Sequence, residues 1–129
     1  MITEDYVSYE VAKLLKEKGF KGECLGVYFP NGRFDTFDTA FDYNLNDGNL
    51  SHAINAPTLQ MAMKWLREVK NILISVNPTL DKDGFVCVMY YIWDIDDIET
   101  KAITSGLYSH ESYNECVEVA IKYCLENLI

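Results

Sequence analysis

The chain has 129 residues, nearly half of them apolar, with 7 Gly, 3 Pro and a formal charge of −9 from 20 acidic against 11 basic side chains. This composition excludes a disordered or low-complexity chain, and no run approaches the ~20 apolar residues of a bilayer span. The negative balance argues against nucleic acid or an anionic membrane as partner, since both draw affinity from cationic groups.

One α+β domain, 1–129, is expected from this length. The acidic start MITEDYVSYE lacks the basic and then apolar pattern of a secretory leader, so a cytoplasmic address is expected. The first helix is expected over 3–18: Thr3 suits an N-cap, Ile2 can staple to Val7, and Val7, Val11, Leu14 and Leu15 recur at helical spacing. Its end is marked by Gly19, with Phe20 placed to fold back on Leu15 as in a Schellman motif. ECLGVYFPNGRFDTF then reads as two strands joined at Pro30-Asn31-Gly32, where Asn-Gly can supply positive backbone angles for a tight hairpin. Phe34, Phe37 and Phe41 fit neither period cleanly, and NLNDGNLSHAIN, 44–55, reads as a loop.

APTLQMAMKWLREV predicts a second helix over 57–70, with Pro57 in its first turn. Its apolar side chains cover roughly 200° of the helix, wider than the stripe needed to lie on one sheet. Three strands follow, NILISVN (71–77), GFVCVMYYIW (84–93) and ETKAITS (99–105), the first two joined by the turn DKDG. Both alternating sets of the middle run are apolar or aromatic, which marks a central strand covered on one face and partly shielded on the other. Ser112-Tyr113-Asn114-Glu115 opens a last helix, whose Tyr113, Cys116, Val117, Ala120, Ile121, Cys124 and Leu128 form one face. The expected order is α, β, β, loop, α, β, β, β, α: an antiparallel sheet with helices packed mainly on one face.

No constellation carries a recognised chemistry. Cys24, Cys87, Cys116 and Cys124 form no C-x-x-C pair and read as buried thiols. Asp42, Asn44 and Asn46 begin like a calcium loop, but Asp47 stands where the turn requires Gly and Ala53 where a bidentate Glu belongs. Asp94 and Asp96 would share a strand face about 7 Å apart, within reach of a hydrated divalent cation; the plainer reading is a solvated strand end. His52 and His110 lack a nucleophile partner and read as surface residues, and the tyrosines Tyr90, Tyr91, Tyr108 and Tyr113 with Trp93 read as sheet filling. No cofactor or metal is expected.

Three blocks, ITEDYVSYEVAKLLKEKGF (2–20), APTLQMAMKWLREV (56–69) and SYNECVEVAIKYCLENLI (112–129), resemble small uncharacterised proteins of prophages and mobile elements of gut bacteria. The resemblance implies an intracellular accessory protein and transfers no functional residue. From residue 57 onward the order also resembles the core of PD-(D/E)xK nucleases, with Asp83 and Glu99-x-Lys101 in the places of the metal-holding acids and the water-polarising lysine. Lys82 stands where that family has Pro. The same order resembles the double-stranded RNA-binding domain, but Ser109-His110-Glu111-Ser112 replaces the basic cluster that would meet phosphates.

The expectation is therefore a non-enzymatic protein-interaction module whose partner is another protein or a second copy, anchored by Met61 and Trp65 on the wide apolar arc of the second helix. An acidic mimic of nucleic acid that inhibits a host protein is the first alternative, and a metal-dependent nuclease the second.

Overall fold

A computed structural model describes residues 5–22, 24–36, 53–97, 102, 104–108 (as backbone) and 113–129. The chain is α+β, in the order α1 (Tyr9–Glu17), β1 (Gly26–Tyr28), β2 (Phe34–Thr36), β3 (Ile54–Ala56), α2 (Leu59–Val69), β4 (Ile72–Leu80), β5 (Val86–Asp94), β6 (Thr104–Tyr108) and α3 (Tyr113–Asn127). Among the described residues the strands form two antiparallel three-stranded sheets, β2-β1-β3 and β4-β5-β6. Internal contacts gather into two units, Met1–Met61 and Ala62–Ile129.

In the first unit the helix begins later than its sequence suggests. Residues 5–7 are not helical: Tyr6 bridges Thr58, Val7 N–H donates to Pro57 O (3.0 Å) and Leu59 N–H donates to Asp5 O (2.9 Å). The cap is Ser8, whose Oγ accepts from Val11 N–H at 3.2 Å; Ile2 and Thr3 lie outside the described residues. The helix end matches expectation. Gly19 has φ +99°, Phe20 N–H donates to Leu15 O (2.9 Å) and Gly19 N–H to Lys16 O (3.2 Å), which are the two bonds of a Schellman motif.

The β1–β2 turn forms where expected but in another geometry. Gly32 N–H donates to Phe29 O (2.8 Å) and Phe29 N–H to Arg33 O (2.9 Å). Only Gly32 has positive φ, +86°. This is a type I turn, with Pro30 and Asn31 in its two central places, closed by a glycine bulge. β3 pairs with the other side of β1, so residues 54–55, expected as loop, are strand. Gly26 makes that pairing possible, since a Cβ there would lie 2.7 Å from Ala56 O and 2.7 Å from Tyr6 Cδ1. Tyr6, Tyr28 and Phe34 pack their rings 5.0–5.1 Å apart, and Tyr28 OH donates to Val7 O at 2.7 Å.

The second unit is built on a hairpin of two nine-residue strands. β4 pairs with β5 from Ile72↔Asp94 to Leu80↔Val86, and β6 pairs with β5 from Val88↔Tyr108 to Ile92↔Thr104. The third strand is therefore displaced along the chain from the expected 99–105; a 3-10 turn at Ile95–Asp97 intervenes. α3 packs on β4 and β5 and buries Cys116, Val117, Ala120, Ile121, Cys124 and Leu125. Tyr113, expected on that face, is instead exposed, and Ser112 lies outside the described residues. Ile72 and Ile92 are buried on the sheet face shared with Tyr90, whose ionisation feels Cys116, Tyr123 and Cys124 of α3. The opposite face is half-buried: Tyr91 and Trp93 stack at 5.9 Å and the Trp93 indole N–H donates to Ser75 Oγ at 3.0 Å.

Candidate functional site

Buried thiols are inert in this fold. All four cysteines are unpaired and buried, and burial pushes the Cys24 and Cys124 thiols up to about 12 and raises Cys116 as well. These three are protonated at neutral pH, the wrong state for attack or metal ligation. Tyr90 is also held above its ordinary value, chiefly by burial and then by Cys116, Tyr123 and Cys124.

Asp94 and Asp96 do not share an extended strand face. The chain turns after Asp94, whose Oδ1 accepts from Asp96 N–H (3.0 Å), and Asp96 Oδ2 accepts from Asn71 Nδ2 (3.0 Å). Asn71 itself has φ +57°, a conformation Asn tolerates better than most residues. These groups line a cleft of about 300 Å³ with Lys70, Ile72 and Leu128. One oxygen of each carboxylate thus supports the turn and the strand end. Among the described residues no group of three His, Cys, Asp or Glu side chains could hold a metal. Asp83 lies in the β4–β5 turn, while Glu99, Lys101, His52, His110 and the 42–52 stretch lie outside the described residues.

The second helix answers the question its wide arc raises. Thr58 is its N-cap, accepting from Met61 N–H at 3.1 Å, so Pro57 precedes the helix rather than opening it. Leu59, Ala62 and Leu66 are buried, a narrow stripe at i, i+3 and i+7. Met61 and Val69 are exposed at 39% and 60%. Trp65, one turn beyond Met61 on the same side, is half-buried, with Lys70 Nζ 5.5 Å from its ring centre. The two residues expected as anchors do share a helix side, but neither is open in the way the hairpin is.

At the tip of the β4–β5 hairpin, Leu80 and Phe85 are 65% exposed and Val86 59%. The tip is a type I turn with a glycine bulge: Gly84 N–H donates to Asp81 O (3.0 Å), Asp81 N–H to Phe85 O (2.9 Å), and Gly84 has φ +85°. Asp81 Oδ1 accepts from both Asp83 N–H and Phe85 N–H at 2.9 Å. The turn is thereby fixed; Leu80 and Val86 are directly paired, and Phe85, which bonds to Asp81, falls on the other face of the hairpin. Among the described residues the β4–β5 ladder runs two pairs past Val88↔Tyr108 of the β5–β6 ladder.

Burying a Val, Leu or Phe side chain fully stabilises by about 1.5–3 kcal/mol, and most of that is unrealised here. In the sequence Phe85 and Val86 fall within the run that reads as central strand, and Leu80 falls just past the expected strand 71–77. Among the described residues β5 is paired on both sides from Val88 to Ile92.

Comparison of the chain with protein families, curated proteins and solved structures finds no match.

Proposed function

We propose that this protein is a non-enzymatic protein-interaction module, a cytoplasmic accessory protein of a mobile element, that inserts the Leu80-Phe85-Val86 hairpin tip into an apolar cleft of a partner protein. The observation that carries this reading is the exposure of three large apolar side chains on a turn braced by Asp81. Large apolar side chains exposed beside charge mark contact surfaces; here they lie on both faces of one hairpin end, and the charged neighbours are Asp81, Lys82 and Asp83. Met61 and Trp65 on α2 form a separate strip, and exposed Met supports a subsidiary contact there.

The prophage resemblance of the three helical blocks supports the accessory role. The experiment is affinity capture from cells with the wild type against a Leu80→Ser, Phe85→Ser, Val86→Thr variant. The expected result is a discrete partner held by the wild type and lost with the variant, at unchanged thermal stability. A partner retained equally by both removes the tip as the anchor.

A further inference from the structure

Among the described residues the sheet of the second unit ends on one side in β4, and the ladder shows which of its backbone groups are used inside the sheet. Ile95 N–H donates to Asn71 O (3.0 Å) at one end, and Asp81 N–H donates to Phe85 O (2.9 Å) at the other. Both pairs continue the register of Ile72↔Asp94 and Leu80↔Val86. Bonded and non-bonded pairs alternate along an antiparallel ladder. The odd-numbered residues of β4 therefore bond to β5, and the even-numbered ones turn N–H and C=O away from it. Pro78, which has no N–H, falls in the outward set, where a strand can accept it. Among the described residues β4 pairs with β5 alone.

Natural edge strands are guarded by charges, above all lysine. β4, ILISVNPTL, has no Asp, Glu, Lys or Arg along nine residues, in a chain of which 24% is charged. The opposite edge, β6, has five residues with Gly106 at its centre, a weaker template. Two copies of a chain with charge −9 repel where their carboxylates meet. The uncharged β4 edge is a place where they can join without that juxtaposition, and an antiparallel edge is complementary to itself about a two-fold axis.

We infer that β4 pairs antiparallel with β4 of a second copy through residues 72–76. Ile74 meets Ile74 at the two-fold and Ile72 meets Val76. Each copy supplies the outward N–H groups of Ile72, Ile74 and Val76, and Pro78 ends the pairing because it has no hydrogen to give. The two sheets become one, and the hairpin tips, which the partner-binding reading uses, take no part in the junction.

The test is a dilution series on the full chain, read by light-scattering mass and by residue-resolved amide exchange. The expected mass falls from twice 14.8 kDa to 14.8 kDa on dilution. The Ile74 and Val76 amides are protected only in the dimer, whereas Leu73 and Ser75, bonded to β5, stay protected throughout. Val76→Pro removes an outward donor without breaking the β5 ladder and weakens association at least about tenfold. A mass of 14.8 kDa at every concentration overturns the inference, as does a dimer whose Ile74 and Val76 amides exchange alike at both ends of the series. A folded Val76→Pro chain that dimerises like the wild type does so too. If that variant fails to fold, the wild-type exchange pattern decides alone.

Discussion

Two glycines show how one substitution acquires two different costs. At Gly26 an added Cβ meets the Ala56 carbonyl and the Tyr6 ring at 2.7 Å, so Gly26→Ala is an overpacking change and is expected to cost about 1–3 kcal/mol. At Gly84 nothing lies within 4 Å of the added atom, but φ is +85°, so Gly84→Ala carries only the backbone penalty, roughly 1–2 kcal/mol. Urea midpoints separate them, because Asn at 84 recovers part of the loss and at 26 deepens it. Gly84 was legible as a turn residue from DKDG; the need for Gly26 was not, since it arises from two distant segments meeting over β1. Along α2, Leu66→Ala is expected to cost about 2–5 kcal/mol and Met61→Ala within about 0.5, the contrast their burial sets. The buried thiols give a pH dependence of known sign. Between the ordinary thiol value of 9.0 and about 12, Cys24 and Cys124 ionise in the unfolded chain but not in the folded one. The unfolded state then binds fewer protons, so stability falls as pH rises through that window, by about 1.4 kcal/mol per pH unit and thiol. Midpoints measured on the alkaline side are expected to fall less steeply for Cys124→Ala than for wild type; parallel slopes contradict the assignment.

Elements whose ends are decided locally were readable, and those decided at a distance were not. The C-terminus of α1 follows from Gly19 and Phe20 alone, and both Schellman bonds are present. Its N-terminus depends on residues 5–7 lying against 57–59, a pairing with no trace in periodicity. The result is a cap at Ser8 in place of Thr3, and Ser8→Ala is expected to cost about 1 kcal/mol by thermal melting. β3 escaped notice because three residues, INA, are too short for an alternating pattern. The third strand of the second sheet also lies later in the chain than its sequence suggests. A third strand at 99–105 places the β5 partner early; the observed register pairs Ile92 with Thr104 and Val88 with Tyr108.

At the scale of the molecule, the α+β class and the order of the longer elements were legible from periodicity and turn chemistry, while the exposed apolar surface was only half legible. On α2 Met61 is exposed and Trp65 half-buried, while among the described residues the most exposed large apolar side chains, Leu80 and Phe85, belong to the hairpin tip. A run in which nearly every residue is apolar reads as buried; the exposure of Phe85 and Val86 at its start appears in the structure alone. The central claim is that this tip is a protein-contact surface, and photo-crosslinking in cells from a reactive residue placed at position 85 tests it most directly. The expected result is one discrete adduct that disappears when Leu80→Ser and Val86→Thr are added. A pattern no different from that of the same residue placed at position 127, exposed on α3, would contradict the account.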